Sequence, residues 1–184
     1  MKKLLCLSSV LFFISCQLSQ AEPFAISSTN LIEGASIPVR HVYNSFGCSG
    51  ENISPQISWK NAPIETKSFA VTVYDPDAPT GSGWWHWLVL NIPAKYSELP
   101  QNFGAKNQFP LPDQISQVRN DFGSFSFGGP CPPVKDQAHR YIFTVYALNS
   151  ERLDVSENST AALAGFMINQ NTLAKASFTA YYGR

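Results

Sequence analysis

Charged side chains are scarce in this sequence, and neither sign dominates. They make up 14% of the 184 residues, with 13 Lys and Arg against 13 Asp and Glu. No basic cluster or arginine-rich run occurs, so the composition argues against nucleic acid as a partner. Internal repeats and low-complexity tracts are also missing, which favours a compact globular domain over a disordered arm.

An apolar run long enough to cross a membrane is missing as well. The N-terminal run, Leu4–Ile14, is about half the roughly 20 residues that a spanning helix needs. Lys2 and Lys3 precede this run, and Ser19-Gln20-Ala21 has the small-x-small form of a signal-peptidase site. These features indicate export rather than an integral membrane span.

We therefore predict that residues 1–21 are a signal peptide, that residues 22–184 form one domain, and that the protein is periplasmic or secreted. Removal of residues 1–21 takes away two lysines and no acidic residue, which leaves a net charge of −2. One alternative stays open. Residues 13–16 loosely resemble a lipobox, which would place a lipid on Cys16.

Cysteine is rare, and only Cys48 and Cys131 lie beyond residue 21. An even count in an exported protein favours a disulfide, although sequence alone does not show that the two Cα atoms come close enough. Two sulfurs without further Cys or suitably spaced His do not make a zinc site. We predict neither a metal nor a cofactor.

Short alternating runs dominate the chain and predict strands. Residues 37–43 are typical of an edge strand because Pro38 lacks a donor, and a long Gly- and Ser-rich loop follows over residues 44–55. In three later runs, polar residues fall on the same face of the predicted strand as apolar residues. These runs are Phe69, Val71, Val73 and Asp75; Trp84, His86, Leu88 and Leu90; and His139, Tyr141, Phe143 and Val145.

A single helix is predicted near the end of the chain. Ser159 can cap it, and one helical face would carry Ala162, Leu163, Phe166, Met167 and Gln170. A final strand is predicted over residues 176–182. The predicted fold is mainly β, a sandwich of two antiparallel sheets with one short helix in the C-terminal region.

Three segments bring polar groups to strand ends, where a pocket at the mouth of a sandwich would be lined. They carry Asp75 and Asp77, then Trp84 and His86, then His139 and Tyr141. Each has a plainer reading: Asp77 as a turn former, His86 as a core histidine, and Tyr141 as core. A carboxylate beside an imidazole would fix one tautomer and leave the other ring nitrogen free to donate to an anion.

The motifs that carry these residues resemble a known family. The succession of DPDAP, WWHW, GPCPP and HRYIFTVYAL is similar to the phosphatidylethanolamine-binding protein family, which includes Raf kinase inhibitor protein. The loop GCSGENISP and the segment NTLAKA resemble its bacterial branch, the Raf-kinase-inhibitor-like proteins. The resemblance covers residues 24–184.

The resemblance implies a β-sandwich with an anion-binding pocket at one end. By motif, the ligand-binding positions that it implies are Asp75, Asp77, Trp84, His86, Gly129, Pro132, His139 and Tyr141. It also implies that Cys48 and Cys131 flank the pocket loops, which supports a disulfide between them. Two departures limit the transfer: a longer segment precedes the glycine-proline turn, and the chain ends soon after Tyr182, without the C-terminal helix of animal relatives.

These observations lead to one hypothesis and two alternatives. The hypothesis is an exported, non-enzymatic protein that binds a small anion such as phosphate, phosphoethanolamine or a carboxylate, and that modulates a partner protein such as a kinase or protease. One alternative is a hydrolase that uses an Asp75/His86 pair, although no nucleophile elbow is present. The other is a protease or kinase inhibitor acting by protein-protein contact. A homodimer is a further expectation from the resemblance.

Overall fold

The computed structural model describes residues 22–105, 111, 112 and 114–184. The predicted signal peptide and Cys16 lie outside the described residues. The strands are β1 Ala25–Ser27, β2 Ile57–Lys60, β3 Ser68–Asp75, β4 Trp84–Pro93, β5 Glu98–Leu99, β6 Ser116–Gln117, β7 His139–Leu148 and β8 Thr172–Tyr182. The one α-helix among the described residues, α1, spans Ala161–Gln170, and a 3₁₀ turn spans Val39–His41.

The strands form two antiparallel sheets, as the sequence predicts. The smaller sheet has the order β1-β2-β5, and the larger has the order β6-β4-β3-β7-β8. Apolar residues of both sheets meet in one core, which includes Trp59 of β2 and Val71, Val89 and Phe143 of the larger sheet. The strand ends that carry the predicted site belong to β3, β4 and β7, which are neighbours in the larger sheet.

The outer face of the larger sheet is covered by α1. Thr160 caps this helix by accepting the Leu163 N–H, so the cap lies one residue after the predicted Ser159. The helical face predicted from the spacing is not the one that packs on the sheet, because Leu163 and Phe166 are exposed. The helix instead buries two alanines and one isoleucine, and these pack on the sheet. The buried helical residues are Ala161, Ala164 and Ile168.

Two predicted strand boundaries also differ from the structure. Residues 37–43 contain the 3₁₀ turn rather than a strand, because Pro38 fixes its own φ and its carbonyl accepts the His41 N–H at 2.9 Å. The last strand begins at Thr172, four residues earlier than predicted. Within the described residues, no helix is long and apolar enough to cross a membrane.

Candidate ligand-binding pocket

The ends of β3, β4 and β7 enclose a cavity beside the glycine-proline turn at residues 128–133. Its volume is ≈ 210 Å³, below the roughly 300–1,000 Å³ of pockets that hold drug-sized ligands. The size suits a small head group. The residues lining it are Phe46, Asp75, Ala78, Pro79, Thr80, Trp84, His86, Phe122, Cys131, Pro132, Pro133, His139 and Tyr141.

Asp75 is paired with a histidine at the floor of this cavity, and that histidine is His139. Asp75 Oδ2 accepts from His139 Nδ1 at 2.8 Å, and both side chains are buried. The other carboxylate oxygen accepts the backbone N–H groups of Asp77 and Ala78 at 2.8 and 3.1 Å. The Asp75/His86 pair of the hydrolase alternative is not formed, because His86 Nδ1 is bonded to the Gly128 carbonyl and its Nε2 has no partner among the described residues.

A β-bulge in β4 explains the position of His86. Val73 lies opposite Trp87, while the next residue, Tyr74, lies opposite Trp85, so His86 is the extra residue on its strand. A bulge places two consecutive side chains out of strict alternation and often re-aims one of them. Regular alternation along β4 is interrupted at His86, so the prediction that His86 shares a strand face with Leu88 and Leu90 is wrong.

The His86 ring is held in one orientation. Its Nδ1 lies 2.6 Å from the carbonyl oxygen of Gly128, and its ring meets those of Tyr141 and Phe122 edge-on at 5.1 and 5.2 Å. Burial lowers the pKa of His86 to about 4, and this outweighs the opposing effects of the Gly128 carbonyl and the Asp75 charge. The imidazole is therefore neutral near pH 7, with its proton on the nitrogen that faces the carbonyl.

Three buried polar atoms in the cavity wall have no hydrogen-bond partner among the described residues. They are Trp84 Nε1, His86 Nε2 and the hydroxyl oxygen of Tyr141. Burial raises the pKa of the Tyr141 hydroxyl, which therefore stays protonated. Buried polar atoms in native proteins are usually satisfied, so this cluster indicates a place where a ligand or water supplies the missing bonds.

His139 also faces a second carboxylate. Its Nε2 lies 3.5 Å from Oδ2 of Asp136, which is 41% exposed on the outer side of the ring. The His139 ring thus lies between two carboxylates in the wall of the cavity. Asp75, on the buried side, sets the orientation of the ring.

Asp77 does not line the cavity, although the resemblance implied a ligand-binding role. Its two carboxylate oxygens accept from Nε and an Nη atom of Arg140, at 2.9 and 2.6 Å, and from the Arg140 backbone N–H at 2.9 Å. The guanidinium beside Asp77 lowers the pKa of its carboxyl to about 2. The carboxylate that accepts the local turn N–H groups is that of Asp75, whereas Asp77 links the turn to Arg140 of β7.

Gly129 contributes to the pocket indirectly and does not line it. Its N–H donates to Asn52 Oδ1 at 2.7 Å, and a Cβ atom at this position would collide with the backbone carbonyl of His41. Glycine is required there because the turn passes directly over residues 41–43. Pro132 does line the cavity, and its ligand-binding role stays a prediction.

The sequence model of the phosphatidylethanolamine-binding protein family matches residues 27–183. The chain belongs to this family. The predicted family is therefore confirmed.

Individual relatives support the same assignment. The chain is 49% identical to Escherichia coli YbcL over 98% of both chains, and 51% identical to E. coli YbhB over 84% of this chain and 97% of YbhB. The crystal structure of YbcL, described as a member of the mammalian PEBP family, superposes with a TM-score of 0.85. It covers 88% of this chain and 98% of YbcL. The predicted fold class is thereby confirmed.

In this family member, a disulfide joins two walls of the pocket. Cys48 and Cys131 are bonded with a Cα–Cα distance of 5.9 Å, which confirms the predicted bridge. The bond links the loop at residues 44–55 to the glycine-proline turn. Arg184 makes a second link, since its guanidinium donates to the carbonyls of Pro132 and Gly47 at 2.6 and 2.8 Å.

Two rim residues of the pocket were missed by the sequence reasoning. Phe46 and Phe122 flank the opening, and their rings lie 5.7 Å apart. Both come from irregular segments, where no periodicity marks a side chain as inward-facing. An aromatic residue inside the Gly- and Ser-rich loop was the available signal for Phe46.

A metal centre finds no support in the part of the chain that the structure describes. No group of three or more His, Cys, Asp or Glu side chains is placed to hold an ion there. The site is best described as a small, partly apolar pocket with a buried carboxylate-imidazole pair and three unpartnered polar atoms.

Proposed function

We propose that this protein binds a small ligand through a phosphate or carboxylate head group that enters the pocket between β3, β4 and β7. The observation that carries the proposal is the convergence of Trp84 Nε1, His86 Nε2 and the Tyr141 hydroxyl, all buried and unpartnered, on one cavity. Such a set matches oxygen atoms that accept and hydroxyl groups that donate hydrogen bonds. Membership of the phosphatidylethanolamine-binding protein family supports the same reading.

A tryptophan pair tests the proposal with an internal control. Trp84 and Trp59 both have a buried Nε1 without a partner among the described residues, but only Trp84 lines the cavity, while Trp59 lies in the core. By calorimetric titration with phosphate and phosphoethanolamine, we expect Trp84→Phe to weaken binding about tenfold and Trp59→Phe to leave it unchanged. Equal affinities in the two variants would refute the pocket assignment.

We also propose that the pocket binds its ligand without catalysing a reaction of that ligand. Among the aliphatic hydroxyl and thiol side chains that line the pocket, the Thr80 hydroxyl donates to the Gly83 carbonyl, and Cys131 is held in the disulfide. The Asp75 carboxylate accepts three hydrogen bonds, from the N–H groups of Asp77 and Ala78 and from His139 Nδ1. Incubation with phosphomonoesters and acyl esters should release no product above the uncatalysed rate; turnover that is lost in Asp75→Asn would favour a hydrolase instead.

Export is the third part of the proposal. The signal-like segment at residues 1–21 supports it, and so does a disulfide, a bond that is typical of oxidising compartments. The intact mass of the protein recovered from the periplasm or medium should correspond to a chain that begins at Glu22. A chain that begins at an acylated Cys16 would point to the lipoprotein alternative.

Modulation of a partner protein is the last part. Phe46 is 65% exposed at the rim of the pocket, so a bound ligand that contacts this ring changes the surface that a partner meets. Pull-down from a periplasmic extract, with and without saturating phosphoethanolamine, should show a partner whose capture depends on the ligand. Light scattering under the same two conditions decides whether that partner is a second copy of this chain.

A further inference from the structure

The hydrogen-bond geometry of His86 determines what its free ring nitrogen can do. Nδ1 lies 2.6 Å from the Gly128 carbonyl oxygen, and a carbonyl oxygen can only accept. The proton of the neutral ring is therefore on Nδ1. Nε2 then carries a lone pair and needs a donor, although it is buried without a partner among the described residues.

The other two unpartnered atoms of the wall have different capacities. Trp84 Nε1 can only donate, and the Tyr141 hydroxyl can donate or accept. The cavity thus presents one donor, one acceptor and one group of either kind. A fully ionised oxyanion, which offers acceptors alone, would leave His86 Nε2 facing a lone pair of the ligand.

We propose that the pocket selects head groups that bring their own proton, namely phosphomonoester monoanions whose P–OH donates to His86 Nε2 while other phosphoryl oxygens accept from Trp84 and Tyr141. This inference rests on the proposed function and specifies its ligand. Phosphodiesters and sulfate monoesters have no such hydroxyl near pH 7. When such a compound binds, the hydrogen bond to His86 Nε2 is lost, and a ligand oxygen lone pair faces the lone pair of Nε2. We expect these compounds to bind at least about tenfold more weakly than a monoester monoanion.

The charged and titratable groups around His86 do not supply the missing proton. Asp75 of β3 and His139 of β7 are bonded to each other, and Asp136 lies beyond His139. Tyr141 of β7 keeps its hydroxyl proton because burial raises the pKa of that group, but no hydrogen bond joins this hydroxyl to His86 Nε2. On the side of the glycine-proline turn, Gly128 presents a carbonyl, and Cys131 is in the disulfide.

Three ethanolamine compounds test the inference by calorimetric titration of the purified chain at pH 6. Phosphoethanolamine is a monoester with a P–OH, 2-aminoethyl sulfate has the same shape without it, and glycerophosphoethanolamine is a diester. We expect phosphoethanolamine to bind at least tenfold tighter than the other two. Equal affinity for phosphoethanolamine and the sulfate would overturn the inference and leave the proposed function intact, whereas no binding of any compound would overturn both.

A pH series separates titration of the ligand from titration of the protein. Phosphate monoesters lose their last proton near pH 6, so the affinity should fall by up to about tenfold per pH unit above that value. With 2-aminoethylphosphonate, whose last proton is lost at higher pH, the midpoint should move upward accordingly. A midpoint that is the same for both ligands would assign the titration to a protein group and contradict the inference.

A variant pair gives the third measurement. His86→Phe removes the acceptor, so it should bind phosphoethanolamine no better than 2-aminoethyl sulfate. His41→Phe is the matched control, because His41 is also buried with Nδ1 against a carbonyl, that of Ile53 at 2.6 Å, and lies outside the lining of the pocket. The control should keep the discrimination between phosphate and sulfate; discrimination that persists in His86→Phe would contradict the role of Nε2.

Discussion

Asp75 and His139 form a buried hydrogen-bonded pair, with Oδ2 and Nδ1 2.8 Å apart. Because a carboxylate only accepts, this contact keeps a proton on Nδ1 of His139. In Asp75→Asn, the side-chain carbonyl can still accept from the Asp77 and Ala78 N–H groups, but the amide N–H₂ then faces His139. We expect His139 Nδ1 to lose its proton and the free energy of unfolding to fall by about 1–3 kcal/mol.

Nitrogen-15 chemical shifts of the imidazole rings report this change of tautomer directly. Asp136→Asn serves as the control, because Asp136 is 3.5 Å from Nε2 and partly exposed. It should leave the proton on Nδ1. A protonated Nδ1 in Asp75→Asn would show that the carboxylate does not set the tautomer.

The position of this pair was largely predictable from the sequence. Asp75 has the same parity as Val71 and Val73, and His139 has the same parity as Tyr141 and Phe143, so simple alternation places both on the inner face. β3 pairs with β7 without a shift up to Tyr74 and Ile142, close to both residues. Alternation is reliable under those conditions.

Residues at which the backbone leaves regular alternation do not lie where the pattern predicts. The bulge between Trp85 and Trp87 moves His86 away from the face of the leucines, and no residue type in WWHW marks a bulge. The helix failed for another reason: large residues such as Phe166 suggested the buried face, but close packing on the sheet favours the small side chains of Ala161 and Ala164. Both errors concern tertiary packing, which local periodicity does not encode.

Tyr141 and Tyr74 should respond in opposite ways to loss of the hydroxyl. The Tyr141 hydroxyl is buried without a partner among the described residues, whereas that of Tyr74 donates to the Ser82 carbonyl at 2.8 Å, outside the lining of the pocket. We expect Tyr141→Phe to keep or slightly raise stability and to weaken phosphoethanolamine binding about tenfold. Tyr74→Phe should cost about 1 kcal/mol and leave binding unchanged.

Chemical denaturation and calorimetric titration of both variants provide the two measurements. The two variants should differ in opposite ways from wild type: Tyr141→Phe in affinity and Tyr74→Phe in stability. Unchanged affinity in Tyr141→Phe would remove this hydroxyl from the proposed site.

Acid should destabilise the protein through its buried histidines. The pKa of His86 is lowered from 6.5 to about 4, and burial also lowers that of His41. Because the unfolded chain binds these protons at higher pH than the folded one, stability is full above about pH 6.5 and falls as the pH drops toward 4. One pKa unit corresponds to about 1.4 kcal/mol, so His86 alone accounts for a loss of up to about 3 kcal/mol.

Urea denaturation between pH 4 and 7.5 measures this loss. His86→Phe should lower stability near pH 7, where the Gly128 carbonyl loses its donor, but should flatten the decline at acid pH. His41→Phe should remove a separate part of the slope. A decline that is identical in wild type and His86→Phe would mean that His86 is not the group responsible.

The disulfide should contribute to both stability and affinity. Cys48 and Cys131 are 83 residues apart in sequence, and closing a loop of this length contributes about 4.5 kcal/mol in the chain-entropy account. The double variant Cys48→Ser/Cys131→Ser should lose about that much. It should also bind phosphoethanolamine more weakly, because the rim residues Phe46 and Pro132 lie on the two segments that the bond joins.

Denaturant midpoints with and without a thiol reductant test this prediction. Wild type should lose stability on reduction, and the double variant should be unaffected by the reductant, which separates the disulfide from other effects of the reagent. Equal stability of oxidised and reduced wild type would contradict it.

Asp77 should matter little for the pocket, despite its place in the DPDAP motif. Its carboxylate is held by the guanidinium and the backbone N–H of Arg140, and both side chains are partly exposed. Exposed ion pairs contribute about 0–1 kcal/mol, and salt screens them. We therefore expect Asp77→Asn to lose less than about 1 kcal/mol of the free energy of unfolding, with the difference from wild type shrinking at high salt. The variant should keep the affinity for phosphoethanolamine.

Titration of Asp77→Asn beside Asp75→Asn distinguishes the two aspartates. A large loss of affinity in Asp77→Asn would mean that a bound ligand displaces Arg140 and recruits this carboxylate.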